Sequence, residues 1–374
     1  VGAVESKIGF VAVIKADILI IGGGPAGLAA AIATRRRGFN VTVADGIVPP
    51  ADKACGEGLM PDALTALSEL GVLINAADSF PFRGIRFLDR GTTVDASFPV
   101  GCGRGVRRTT LHRMMIEQAE AVGVQLRWGA RVDLSAVRCG WIIGADGENS
   151  LVRKWAGLDA CVRDRRRFGF RRHYRIEPWT DYMELYWGPA CQVYVTPVTP
   201  ESVCVAAISR DSQFRLDDAL REFPDLEQRL KLSAMMSTER GAVTSSRKLK
   251  AVYRDRTALI GDASGSVDAI TGEGLCLAFR QAMALTEAIE CGDLASYQRR
   301  HCRIARRPEW MARLLLALGD HAQFRRAAMC AMTSHPAIFK KMLSVHVDAL
   351  HEMSSATRRG DDAQRNPSPD GRRV

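Results

Sequence analysis

The first clear pattern is the segment Ala16 to Ile21, apolar but for Asp17, which ends in a glycine cluster. Such a run predicts a buried strand. The following "PAGLAAAIATRRRG" has helical apolar spacing and a stop at Gly38, and "NVTVAD" predicts the next strand. Thr109 to Gly123 predicts a helix ended by its glycine, and "CGWIIGADG" a short strand running into a glycine turn. From Phe168 to Ser209 the texture changes to short β-type runs, "FGFRRHYRI", "DYMELYWG", "CQVYVTPV" and "SVCVAAIS", which predict one antiparallel sheet. Alternation there puts Phe168, Phe170, Arg172, Tyr174 and Ile176 on one face and Arg171, His173 and Arg175 on the other. "TALIGDASG" returns to strand-then-loop, and "GLCLAFRQAMALTEAIE" predicts a helix. Beyond Leu294 the pattern is helical with breaks expected at Pro308 and Pro336, and the polar end from residue 354 is expected to be disordered.

The apolar content of the 374 residues suits a substantial core. The formal net charge of +10 favours an anionic substrate, a phosphate-bearing cofactor or an acidic membrane surface. No nucleic-acid motif accompanies the charge, so nucleic acid is not expected as a partner. The ten cysteines include no C-x-x-C pair and share no ligand pattern with the seven histidines, so no metal site is expected. Cysteine usage fits a reducing cytoplasm. Lys15 and Asp17 interrupt the opening apolar stretch, which reads as a strand, and no run has the length of a membrane span. Within "RDRRRFGFRRHYR", Arg163 to Arg175, the charges read as a solvated face. The same run could hold an anionic tail such as a nucleotide phosphate or an acyl carrier.

Gly22, Gly24 and Gly27 form a G-x-G-x-x-G between the first strand and first helix. That arrangement serves a tight turn, close approach to a pyrophosphate and close helix–strand packing. The helix N-terminus faces the phosphates, and Asp45, ending the next strand, has the spacing of a ribose-binding carboxylate. A second feature is the repeat of "GEGL", once as "CGEGL" at Cys55–Leu59 and once as "TGEGL" at Thr271–Leu275. The flanking residues differ, which argues against duplication and leaves chance or convergence on one ligand. Gly272, Gly274 and Leu275 begin a helix whose free N–H groups could stabilise negative charge.

With these motifs the chain resembles the FAD-dependent oxidoreductases that include the group A flavin monooxygenases and the geranylgeranyl reductases. "IIGGGPAGLAAAIATRRRGFNVTVAD" is similar to their N-terminal FAD motif, "GADGENSLVR" to their DG motif, and "GDASG" to their GD motif. The resemblance implies FAD as cofactor, NADPH or NADH as reductant, and cofactor contacts from Arg108, Asp146, Gly147, Gly261 and Asp262. It also places both GEGL loops beside the flavin ring. The fold class it implies is α/β, a Rossmann-type FAD-binding domain interleaved with an antiparallel β-sheet substrate domain, and a helical C-terminus. The FAD-binding domain would comprise residues 1–82, 104–165 and 251–292. The substrate domain would comprise 83–103 and 166–250, followed by C-terminal helices at 293–353 and a tail at 354–374.

Two reactions compete. Hydroxylation of a hydrophobic or aromatic small molecule through a flavin C4a-hydroperoxide is preferred, since the monooxygenases are the larger group. The alternative is reduction of C=C bonds in a prenyl or polyketide-type lipid, which the "CGEGL" and "ITGEGL" loops resemble; a non-catalytic flavin-binding protein is the third reading. The candidate catalytic residues are Cys55, as a thiol beside the flavin, and His173 and Tyr194, as groups orienting a substrate oxygen. Basic surface also suggests contact with a membrane or an acyl carrier from the cytoplasmic side.

Overall fold

The computed structural model describes residues 10–11 and 16–347; the tail expected at 354–374 lies outside them. In chain order the main elements begin with β1 (Ile18–Ile21), α1 (Pro25–Arg36), β2 (Val41–Asp45) and α2 (Pro61–Glu69). β3 (Gly84–Asp89), β4 (Thr92–Ser97), α3 (Arg108–Ala121), β5 (Gln125–Trp128), β6 (Trp141–Gly144) and α4 (Leu151–Trp155) follow. Next come β7 (Cys161–Arg175), β8 (Tyr182–Trp187), β9 (Cys191–Thr199), β10 (Ser202–Ser209), α5 (Leu216–Arg221), α6 (Pro224–Lys231) and β11 (Arg240–Leu249). The chain then forms β12 (Tyr253–Arg254), β13 (Thr257–Leu259), α7 (Gly274–Glu290), α8 (Leu294–Asp320), α9 (Ala322–Ser334) and α10 (Pro336–Val347).

One sheet has the order β12-β13-β6-β1-β2-β5, parallel except at the β12 edge. Its central strands β1 and β6 read as apolar runs because both faces are covered there. Ile18, Ile20, Val41, Val43 and Ile143 join Leu28, Ile32, Met115, Phe279 and Leu285 from α1, α3 and α7 in the largest core.

The second sheet runs β11-β7-β10-β9-β8-β3-β4, with Gly265–Ser266 beyond β11. It is antiparallel apart from the parallel β8–β3 junction, where the chain returns to a strand laid down earlier. Its two faces alternate with period two as the pattern predicted. Phe170 and Tyr174 pack with Val193, Val195, Val203 and Val205 against α5 and α6. Arg171 and His173 point to the opposite face, where Tyr194, Met183, Leu185 and Phe87 also lie, toward the first domain and the C-terminal helices.

Two expectations are corrected. Pro308 does not break the chain, which stays helical from Leu294 to Asp320. A proline inside a helix costs about 3 kcal/mol. Pro308 is itself buried in the stripe formed by Met311, Ala312, Leu315 and Leu318, each worth roughly 1.5–3 kcal/mol if large and apolar, so the packed face outweighs the lost bond. The arginine run of β7 is a solvated face only in part, through the exposed Arg165, Arg166 and Arg175. Arg167 and Arg171 are buried, the first paired with Asp268 at 3.0 Å and the second with Asp52, while Arg172 pairs with Asp217 at 2.7 Å.

Candidate functional site

The glycine fingerprint leaves a cradle with the shape a pyrophosphate requires. Gly22 has φ +107°, and a Cβ there would stand 2.3 Å from the Ala145 carbonyl oxygen. A Cβ on Gly27 would meet the Gly22 carbonyl oxygen at 1.9 Å. Gly24 differs: nothing lies within 4 Å of where its Cβ would be, at the N-terminus of α1. Two glycines are thus needed by the fold itself, and the third faces open ground beside free helix N–H groups.

The other cofactor candidates surround the same ground. Asp45 accepts hydrogen bonds from Gly23 N at 2.6 Å and Ile47 N at 2.8 Å, which fix its carboxylate at the end of β2. Arg108 opens α3, and its buried Nε has no hydrogen-bond partner among the described residues. Asp262 pairs with Lys53 at 2.9 Å; burial opposes its ionisation, but Lys53 and Arg108 prevail and hold its carboxyl below the usual range. Gly261, at φ +57°, lets this turn approach Ala26 of α1. Gly147 and Gly274 both face open space. Asp146 is turned inward: its carboxylate accepts from Leu151 N at 2.7 Å and Val152 N at 3.1 Å, capping α4. An open glycine cradle, an unsatisfied buried guanidinium nitrogen and a helix N-terminus at Gly274 suit a long dinucleotide such as FAD.

The two GEGL loops adjoin. The Cβ position of Gly272 lies 3.6 Å from the Met60 methyl, and the helices that follow the loops are joined by a buried Asp62–Arg280 ion pair of 2.8 Å. One strand holds both loops. On β9, the Thr196 hydroxyl donates to the Gly56 carbonyl at 2.7 Å and the Tyr194 hydroxyl donates to the Ile270 carbonyl at 2.6 Å. Leu275 sits in the first turn of α7, partly buried against the main core.

The three candidate catalytic residues fall in different surroundings. Cys55 is partly buried in the first loop, where its Sγ accepts from Glu57 N at 3.4 Å. Tyr194 is buried, with its donor committed to Ile270 and its ring on an apolar cavity, so its hydroxyl holds a loop and is not directed at a substrate oxygen. Burial also pushes its phenol far above the ordinary range. His173 is only 1 % exposed. Its Nε2 donates to Glu57 Oε2 at 2.6 Å, and its Nδ1 lies 3.1 Å from Arg171 Nη1, an obligate donor, so Nδ1 accepts. Both nitrogens are occupied by protein, and His173 cannot orient a substrate while these bonds stand.

Reasoning from the pattern missed Glu57, at the centre of this cluster. It is buried with φ 60°, and its Oε1 accepts from Arg108 N at 2.9 Å, so it ties the loop to both α3 and β7. Its place inside the repeated motif was the available signal. Glu57, His173 and Cys204 lie within 4.8 Å of one another, a donor set a metal could use. The Glu57–His173 bond already engages two of the three, and the fixed Arg171 charge lies 4.0 Å from the carboxylate, so the group reads as a hydrogen-bonded cluster. His112 was missed as well; its Nε2 donates to the Gly23 carbonyl at 2.8 Å, and burial lowers its pKa, which favours the neutral ring. Glu273, the middle of the second motif, is buried near Arg280, and desolvation pushes its carboxyl up to about 8.

Residues 15–136 match the family described as FAD binding domain. Over 75% of its length the chain is 28% identical to menaquinone reductase of Mycobacterium tuberculosis, covering 78% of that protein. It is 27% identical to digeranylgeranylglycerophospholipid reductase of Methanosarcina acetivorans, over 75% of this chain and 77% of that one. Among solved structures, a flavoprotein/dehydrogenase from Cytophaga hutchinsonii superposes with a TM-score of 0.77 at 18% identity, covering 89% of this chain and 93% of the other, a likeness of fold. The motifs, the cradle they form and these relatives agree on an FAD-dependent oxidoreductase, similar to the superfamily that holds the group A flavin monooxygenases and the geranylgeranyl reductases.

Proposed function

We propose that the protein uses FAD to reduce a C=C bond in a hydrocarbon-rich, isoprenoid-type substrate. The observation that carries this reading is the lining of the cavity beside the second loop. Ile85, Phe87, Met183, Leu185, Met311 and Phe339 dominate it, and its only polar residues are Tyr194, whose hydroxyl is committed, and Thr271. Hydroxylation of a phenol needs a group that holds or deprotonates the ring oxygen. This lining offers none in position, whereas a hydrocarbon chain needs only apolar walls. Hydroxylation came first only because the monooxygenases are the larger group; the cavity shifts the preference, and the menaquinone and digeranylgeranylglycerophospholipid reductases among the relatives support the shift.

FAD, when bound, supplies the hydride. The residues that would hold it are Gly22, Gly24, Asp45, Arg108 and Asp262, with the N-terminus of α7 toward the ring. Reduction of a C=C bond also needs a proton, and Cys55 is the candidate donor in the loop that Thr196 holds against the sheet. Glu57 and His173 fix that loop. The cavity volume is about 30 Å³, far below what an isoprenoid chain fills, so this reading requires its walls, formed in part by α8 and α10, to open.

The test is anaerobic. Flavin reduced with NADPH or NADH is mixed with a polyprenyl quinone or a geranylgeranyl lipid, and reoxidation is followed with and without oxygen. Product gaining two hydrogens in the absence of oxygen is expected, and Cys55→Ala should keep FAD but lose at least about 100-fold in turnover. Substrate-dependent reoxidation only with oxygen, with one oxygen atom gained, would replace this reading by the monooxygenase. The motif "GADGENSLVR" keeps that second reading in view.

A further inference from the structure

The C-terminal helical hairpin carries an unusual charge pattern. From His321 to Val347, through α9 and α10, there is no aspartate or glutamate, while Arg325, Arg326, Lys340 and Lys341 are all basic. Both helices bury their other face in one core, through Met329, Met332, Phe339 and Leu343. Their outward faces therefore look away from the same sheet. Arg325 is taken inward to pair with Asp89 at 3.0 Å. Arg326, Lys340 and Lys341 stay exposed, and on the same two helices Phe324 and Ile338 are each 47% exposed.

We propose that the outward face of α9–α10 docks on an anionic lipid bilayer. Basic side chains around exposed Phe and Ile, with no acid among them, match a negatively charged headgroup layer over an apolar interior. Placement adds a second argument. Phe339, Met342 and Leu343 of α10 wall the apolar cavity, so the hairpin separates that cavity from the proposed bilayer. A substrate dissolved in lipid would then pass under the hairpin without crossing water. The basic run of β7, the alternative surface, has Arg167 and Arg171 buried in ion pairs and leaves Arg165 and Arg166 exposed. The proposal holds whichever reaction the site performs.

Flotation of the FAD-loaded protein with vesicles decides the matter. One set is phosphatidylcholine alone, the other phosphatidylcholine with about one third phosphatidylglycerol. Wild type should float with the anionic set and much less with the neutral one, and release as salt rises. Arg326→Glu/Lys340→Glu/Lys341→Glu should weaken partitioning on the order of 100-fold or more, from about fivefold per charge near the surface. Phe324→Ser/Ile338→Ser should weaken it while leaving the salt dependence, and Arg165→Glu/Arg166→Glu should leave it nearly unchanged. Flavin content and circular dichroism confirm that each variant is folded. Wild type that stays in solution with both vesicle sets would overturn the proposal. So would equal losses in the β7 control, which would mark a non-specific effect of net charge. A concentration-dependent dimer in light scattering, abolished by Phe324→Ser/Ile338→Ser, would also overturn it by assigning the face to a second copy of this chain.

Discussion

Gly24 and Gly27 belong to one motif, yet the structure predicts opposite failures for them. Gly27 sits inside α1 with its Cα against β1, and an alanine Cβ would lie 1.9 Å from the Gly22 carbonyl oxygen. Ordinary contact would need a separation of about 3.4 Å, so helix and turn must part by more than an ångström, in a core where overpacking costs about 1–3 kcal/mol or more. Gly24 has φ −73° and ψ 177°, open to any residue, and a Cβ there meets no protein atom within 4 Å. Gly24→Val should therefore leave the flavin-free protein within about 1 kcal/mol of wild type, the loss of an N-cap glycine offset by reduced freedom in the unfolded chain.

Flavin binding reverses the comparison. The valine methyls of Gly24→Val occupy the ground where the pyrophosphate must approach the helix, and affinity should fall at least about 100-fold, roughly 3 kcal/mol. The assay pairs thermal melts of the flavin-free proteins with titration of FAD by absorbance. Gly27→Ala should melt well below wild type, and Gly24→Val close to it but colourless after purification. A Gly24→Val protein that purifies with stoichiometric FAD would refute the reasoning, as would one whose flavin-free melt falls as far as that of Gly27→Ala.

Other buried groups give sharper tests of stability. Glu273 keeps its proton in the folded chain up to about pH 8, whereas the unfolded carboxyl releases it near 4.5, so the flavin-free protein should lose stability as pH rises through that window. At about 1.4 kcal/mol per pH unit the loss is at most about 5 kcal/mol; Glu273→Gln should flatten it in denaturant melts, and an unchanged slope would exclude Glu273 as the source. Arg325 compensates the buried Asp89, so Arg325→Met should cost about 3–5 kcal/mol and adding Asp89→Asn should recover much of it; a cost below about 1 kcal/mol would show that water reaches the pair.

Local pattern carried the dinucleotide half of the fold. β1 and β6 are apolar because both faces of their sheet are covered, and Gly22 and Gly27 are steric requirements readable in order. Alternation likewise placed Phe170 and Tyr174 opposite Arg171 and His173. Periodicity says which way a side chain points but not what it meets. The partner of His173 is Glu57, more than a hundred residues earlier, and the partners of Arg167 and Arg171 are also more than a hundred residues away. Those contacts come from topology, which lays the 52–57 loop and the turn at Asp268 against one face of β7. The same limit explains Pro308, whose local cost is outweighed by a stripe of core contacts that a helix-breaker rule does not see.

The repeated GEGL shows how far local reasoning reaches once a strand is fixed. Tyr194 and Thr196 are two residues apart on β9, and residues two apart in a strand project from the same face. One binds the carbonyl just before the second GEGL loop, the other a carbonyl within the first, so both loops must lie on the same side of the sheet. The Asp62–Arg280 pair then fixes the helices that leave them. The two central glutamates nevertheless differ. Glu57 is bound by His173 and by Arg108 N, whereas Glu273 lies near Arg280 with its carboxyl kept protonated by desolvation. A duplicated unit would reproduce its contacts as well as its letters. The first copy has its positive φ at Glu57 and continues as a short strand, Gly58–Leu59, whereas the second has it at Gly272 and opens α7 at Gly274, so the letters recur without the backbone conformation and the glutamates serve unrelated partners.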